Sequence, residues 1–276
     1  MLARGAFAVD VTDAQAGSAA ERAQLESAGF WVSNRIVAAF AADADVAGVI
    51  AAACADAGLA ATAPFTVERV ADRDWLAAAR AQFEPIRVSE RLWIVPSWAE
   101  PPAPNAINLR LDPGLAFGTG SHPTTRMCLR WLDANLRGAD TVIDYGCGSG
   151  ILAIAAMLLG AAAAVGVDID PQAVLAARDN AGQNRVAVRF DTPDSAALAP
   201  AQIVLANILA NPLKLLAPLL AGVTRPGGKL LLSGILLGQA EDVGAAYRPW
   251  FTLDLAAEDE GWALLEATRT QAGAAP

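Results

Sequence analysis

Histidine is nearly missing from this chain of 276 residues, which carries one, and cysteine is scarce, with three. Cys54, Cys128 and Cys147 show no Cys-x-x-Cys spacing. An odd count of thiols and a single imidazole exclude the usual disulfide and zinc frameworks, so no metal site is expected and the cytoplasm is the expected compartment. Long apolar runs are missing too. Apolar residues reach 54%, yet charges, proline or glycine break every stretch short of the roughly 18 uninterrupted residues of a membrane span. A secretory leader is not expected, because Arg4 is soon followed by Asp10 and Asp13 and no cleavage site stands out. The last absence is a basic excess. Twenty Lys and Arg against 29 Asp and Glu leave a formal charge of -9, which argues against direct nucleic-acid binding, since no cation surplus would release phosphate counterions. The same balance suits either steering of a basic protein partner or plain solubility of an alanine-rich chain.

What the chain does have is a glycine-rich turn, Val142-Ile143-Asp144-Tyr145-Gly146-Cys147-Gly148-Ser149-Gly150. Thr141 to Ile143 reads as a buried strand and Asp144 to Gly150 as the turn after it. Glycine allows positive φ and removes the Cβ, so a ligand can lie against bare backbone. The apolar run Ile151 to Leu159 then reads as a helix whose first amides point into the turn, closed by Gly160. A second strand, Ala163 to Val167, delivers Asp168. A carboxylate about 20 residues beyond such a turn is the usual partner of ribose hydroxyls. A turn that merely joins strand to helix is the plainer alternative, and it leaves Asp168 unexplained.

Spacing separates the candidate nucleosides. A dinucleotide fingerprint, Gly-x-Gly-x-x-Gly, puts its third glycine at 151, where this chain has Ile151. An acid two places before the first glycine, with glycines at 146, 148 and 150, instead resembles the S-adenosylmethionine loop of Rossmann-like methyltransferases. Asp144, Gly146, Gly148 and Asp168 are therefore the cofactor candidates of this turn.

Around that turn the chain reads as α/β. Residues 1–70 form a small α/β unit, with strands at Ala6 to Val11, within Phe30 to Phe40 and at Phe65 to Val70. A helix from Asp45 to Ala57 is capped by Asp43 or Asp45. Residues 71–105 read as a helix over 72–82, a strand from Arg91 to Trp98 and a stiff proline connector. The boundary between the small and large domains falls within 65–105. From 106 to 276, beginning with Ile107, strands and helices alternate as a doubly wound parallel sheet requires. Helices are expected at Pro171 to Asn180, Leu213 to Leu220 and Glu241 to Tyr247. Strands are expected at Val186 to Phe190, Ile203 to Ala206 and Lys229 to Ser233, with a closing hairpin at Phe251 to Ala257 and Trp262 to Thr268.

Two further stretches carry chemistry. Leu111 to Thr125, which contains Phe117-Gly118-Thr119-Gly120-Ser121-His122-Pro123-Thr124-Thr125, is too rich in glycine and hydroxyls for a core element. It reads as a loop able to fold over a ligand at the start of a helix running to Leu136, or as a surface turn that caps that helix through Thr124 or Thr125. Its histidine is better explained as a hydrogen-bonding strut than as a proton carrier. Asn207, in Ala206-Asn207-Ile208-Leu209-Ala210-Asn211-Pro212, ends a central strand across the sheet's switch point from the glycine turn. Its amide oxygen can accept from an amine and aim that nitrogen's lone pair, while Asn211 is the better N-cap for the next helix.

Together these stretches make residues 85–268 resemble the bacterial methyltransferases of large-subunit ribosomal protein eleven. The matching pieces are Glu90 to Trp98, Leu111 to Thr125, Val142 to Ile154, Gly166 to Pro171, Ala206 to Ala210 and Ser233 to Leu236. The resemblance implies a class I S-adenosylmethionine-dependent fold and methyl transfer to the N-terminal α-amine and lysine ε-amines of that ribosomal protein. It places the family's cofactor positions on Thr125, Gly146, Asp168 and Asn207; Phe117 of the covering loop is a further cofactor-binding candidate, and Asn207, from its place at the strand end, is the catalytic candidate. It also implies a ferredoxin-like recognition domain at the front, where this chain matches only from the second strand; either the start is assigned late or the domain is reduced. Two rivals stand beside this reading: a lysine methyltransferase of the same fold with another protein substrate, and a nicotinamide-dependent oxidoreductase.

Overall fold

A computed structural model describes residues 6, 8–13, 34–41, 44–59, 62–68, 84–112 and 120–271. The chain divides into two compact units, Met1–Ala77 and Ala78–Pro276. In the first, β1 (Ala8–Asp13) pairs antiparallel with β2 (Asn34–Ala39), and α1 (Val46–Asp56) follows. Asp45 caps that helix by accepting from Gly48 N at 3.0 Å, which settles the choice between Asp43 and Asp45. Residues 62–68 form no strand. The alternation at Phe65 and Val67 is a side-chain pattern, and a strand also needs a neighbour to bond. The helix expected over 72–82 lies outside the described residues.

The second unit holds two sheets. β3 (Ile86–Arg87), β4 (Leu92–Val95) and β5 (Ile107–Arg110) make a small one of three strands, in which β4 and β5 run parallel. Ile107 therefore does not open the large sheet, contrary to expectation. Counting alternating strands cannot tell which sheet a strand joins. The small sheet is fastened to its neighbour through Asn184, whose side chain accepts from Arg110 N and donates to Arg110 O, both at 2.7 Å.

α2 (Pro123–Asn135) leads into the large sheet. There β6 (Thr141–Tyr145), α3 (Ile151–Leu158), β7 (Ala163–Val167), α4 (Pro171–Asn184), β8 (Arg189–Asp191) and β9 (Ala201–Asn207) alternate. α5 (Ala210–Val223), β10 (Thr224–Leu236), α6 (Ala240–Tyr247), β11 (Phe251–Asp259) and β12 (Trp262–Arg269) complete the unit. The strand order is β11-β12-β10-β9-β6-β7-β8, and β12 alone runs against the others. β6 pairs with β7 on one side and β9 on the other, so the order reverses between β6 and β9. A crevice opens at the carboxyl ends of the strands at such a point.

Burial explains why these segments hold. Ile151, Leu152 and Ile154 are buried with the alanines of α3, and each large apolar side chain taken from water contributes about 1.5–3 kcal/mol. α3 stops where expected, with Gly160 at φ +101° and Ala161 N bonding back to Ala156 O. α5 begins earlier than expected. Leu213 N bonds Leu209 O at 3.2 Å, so Leu209 occupies the cap position and Asn211 lies inside the first turn, which removes it as the N-cap.

Candidate active site

The glycine turn folds over the end of the neighbouring strand. Gly146 N and Cys147 N both donate to Val167 O, at 2.7 and 3.0 Å. Gly146, Gly148 and Gly150 take φ of +76°, +52° and +77°, values that only glycine adopts without strain. Their bareness serves packing as well as ligand access. A Cβ on Gly150 would stand 2.7 Å from Phe190 and 2.9 Å from Ala177, so that glycine is required by the core.

Asp168 lies one residue past β7 and is tied to the turn it was expected to serve. Its Oδ2 accepts from Gly148 N at 2.8 Å and its Oδ1 from Asp170 N at 2.9 Å. Each oxygen keeps a further lone pair, which suits a vicinal diol. Asp144 stands beneath the turn. It is buried, its Oδ2 accepts from Ala153 N at 3.2 Å in the first turn of α3, and its Oδ1 has no partner among the described residues. Burial pushes its carboxyl up to about 7; the charge of Asp168 adds to this and the Ala153 amide opposes it. Asp144 is thus a buried prop of the turn that holds a proton readily.

Asn207 ends β9 across the switch point. Its Nδ2 lies 3.4 Å from Thr125 Oγ1, and it stands in register with Ser233 of β10. Thr125 is buried in the first turn of α2. That helix is capped by His122, whose Nδ1 lies 2.7 Å from Thr124 Oγ1 and accepts from Thr124 N at 3.4 Å. Neither threonine is the cap. The imidazole rests edge-on against Trp262, ring centroids 4.8 Å apart. Burial, then the charge of Arg126, lower its pKa, which favours the neutral ring that a cap acceptor needs.

Arg126 fixes this end of α2 to the β11–β12 turn, donating to Ser121 O, Asp259 Oδ2 and Glu260 Oε1 at 2.7, 3.2 and 2.8 Å. Thr125, Gly146, Gly148, Asp168 and Asn207 therefore gather along one edge of the sheet, and Asp144 supports them from below. Phe117 lies outside the described residues.

Three residues at this edge escaped the sequence reading. Ile169, beside Asp168, is 85% exposed, and only its place after the acid would have singled it out. Asn180 donates to Ser149 O at 2.9 Å from the middle of α4, and no local pattern marks it. Ile208 packs its side chain against Gly146.

A parallel sheet reversed only at β12, with a glycine turn after β6, an acid after β7 and an asparagine ending β9, defines a Rossmann-like methyltransferase. Comparison with known proteins narrows the class. The profile of the family described as "Ribosomal protein L11 methyltransferase (PrmA)" matches residues 1–270. The ribosomal protein L11 methyltransferase of Thiobacillus denitrificans is 57% identical over 270 residues, covering 96% of this chain and 91% of its own. That of Chromobacterium violaceum is 53% identical over 277 residues, covering 99% and 93%. The crystal structure of ribosomal protein L11 methylase from Lactobacillus delbrueckii subsp. bulgaricus superposes with a TM-score of 0.63 at 33% identity, covering 68% of this chain and all of its own. The chain belongs to the ribosomal protein L11 methyltransferase family.

Proposed function

We propose that this chain methylates ribosomal protein L11 with S-adenosylmethionine as donor, at the N-terminal α-amine and at lysine ε-amines. Family membership supplies the reaction and the protein substrate. The observation that supports these residues as the site is Asn207, bonded to Thr125 and set across the switch point from a glycine turn that Asp168 braces.

The turn and Asp168 fit the adenosyl donor, with the open lone pairs of Asp168 for the ribose hydroxyls and exposed Ile169 as an apolar seat for the base. When bound, the sulfonium supplies an activated methyl and its own leaving group. The protein's tasks are alignment and delivery of a neutral amine. A free lysine titrates at about 10.4, so desolvation in the closed crevice must lower that value before attack. The amide oxygen of Asn207 accepts one N–H of the amine and turns its lone pair toward the methyl. Thr125 holds the opposite end of the same amide, which fixes its orientation.

The front unit, with its paired β1 and β2, is the proposed recognition element for the ribosomal protein. The acidic balance of the chain favours a protein partner over nucleic acid, and the proposed site of action is the cytoplasm with its ribosomes. The oxidoreductase alternative loses ground because Ile151 is 2% exposed in the core where a dinucleotide turn needs glycine. Mass spectrometry after incubation with isotopically labelled S-adenosylmethionine tests the reading. Labelled methyl groups are expected on the α-amine and lysines of ribosomal protein L11. Labelling of a different protein from a cell extract, with ribosomal protein L11 unmarked, supports the rival lysine methyltransferase.

A further inference from the structure

Ile208 follows Asn207 and touches both halves of the site. A Cβ built on Gly146 would stand 2.3 Å from Ile208 Cγ2 and 3.7 Å from Ile208 Cβ. The branch methyl thus fills the hollow left in the glycine turn by the missing side chain. On the β10 side, Gly234 takes φ +81°, and a Cβ there would come 2.5 Å from Ile208 O, 2.8 Å from its C and 2.9 Å from its N. Ile208 N also donates to Ser233 O at 3.1 Å. Its backbone is therefore seated on β10 and its side chain is seated in the turn after β6.

The geometry points to Ile208 as a positioning residue whose Cγ2 methyl sets the spacing between the turn at Gly146 and the amide of Asn207. It acts through Asn207 and meets no reacting atom. In-line transfer is sensitive to such spacing, since a displacement of about 1 Å can cost on the order of 100-fold in rate. A second consequence concerns position 146, where glycine is demanded by the protein's own methyl.

The inference rests on the methyl-transfer reading, and shape separates it from simple bulk. Valine keeps the methyl on Cβ, leucine keeps the bulk but not that methyl, and alanine keeps neither. Ile208→Val should turn over within about threefold of the wild type, while Ile208→Leu and Ile208→Ala should lose about tenfold or more. Calorimetric affinity for S-adenosylhomocysteine should change less than about threefold in all three. Thermal melts supply a check independent of activity: Gly146→Ala should lower Tm less in an Ile208→Ala background than in the wild type, because the added Cβ then has room. Equal turnover of the leucine and valine variants, or strictly additive melting shifts, overturns the inference. A wild-type protein that methylates nothing would instead overturn the functional reading.

Discussion

At the scale of single residues, the two ends of the site should fail in different ways. Asn207→Ala removes the acceptor proposed to align the amine, so turnover should fall by about 100-fold, well beyond any loss of affinity for S-adenosylhomocysteine. Asp168→Ala removes the proposed partner of the sugar together with the brace on Gly148 N. Affinity should weaken by about 10- to 100-fold, the range of one charge-assisted hydrogen bond. Calorimetry beside steady-state kinetics checks both, and identical profiles for the two variants would show that the roles are misassigned.

Asp144 carries the pH prediction. Its folded value is raised from 3.8 to about 7, so its contribution to stability is complete below the unfolded value and is lost as pH rises through the folded one. Wild-type Tm should therefore fall between about pH 4 and 7 relative to Asp144→Asn, which carries no titrating proton. Parallel slopes for the two proteins would refute the buried-carboxyl account.

At the scale of elements, two glycines that both take positive φ should have unequal costs. Gly160, at φ +101°, has nothing within 4 Å of a built Cβ, whereas Gly234 meets the backbone of Ile208 at 2.5 Å. Gly160→Ala should cost about 1 kcal/mol from strain alone, and Gly234→Ala about 2–4 kcal/mol because β10 must also move off Ile208. Melting curves decide this, and equal shifts would mean that β10 yields freely.

The same contrast shows which features were legible in the sequence. Strands and helices of the large sheet announced themselves through apolar runs and punctuation, so α3 and β7 fall where expected, with Gly160 closing α3, while β6 runs two residues past the expected end at Ile143 and takes in Asp144 and Tyr145, because ladder pairing with β7 extends beyond the apolar run. Asp168 was legible because its distance from the turn is a property of the crossover. The separate sheet of β3, β4 and β5 was not, since pairing partners leave no local trace. Nor was the role of Ile208, because its contact with Gly146 joins residues 62 positions apart through the order of strands. The alternative of a threonine cap on α2 fails for a third reason. The hydroxyls at Thr124 and Thr125 look like caps, but Pro123 sets the helix start one residue after His122.

At the scale of the whole molecule, the division at Ala77 lets the proposed recognition role of the front unit be tested apart from the donor site. Every described residue assigned to the donor and to Asn207 lies in the unit from Ala78 onward. The solved methylase from Lactobacillus delbrueckii covers 68% of this chain while all of its own length is used, a span comparable with that unit alone. A fragment of residues 78–276 should accordingly fold and bind S-adenosylhomocysteine within about threefold of the full chain, because a compact unit with its own core keeps its site. Its turnover on intact ribosomal protein L11 should fall by about 100-fold or more. Turnover on a short peptide carrying the same N-terminal amine should fall far less, because remote recognition contributes to the protein reaction and not to the peptide one. Equal activity of fragment and full chain on the intact ribosomal protein would remove recognition from the front unit and assign it to the edge where Asn207 and the β11–β12 turn lie.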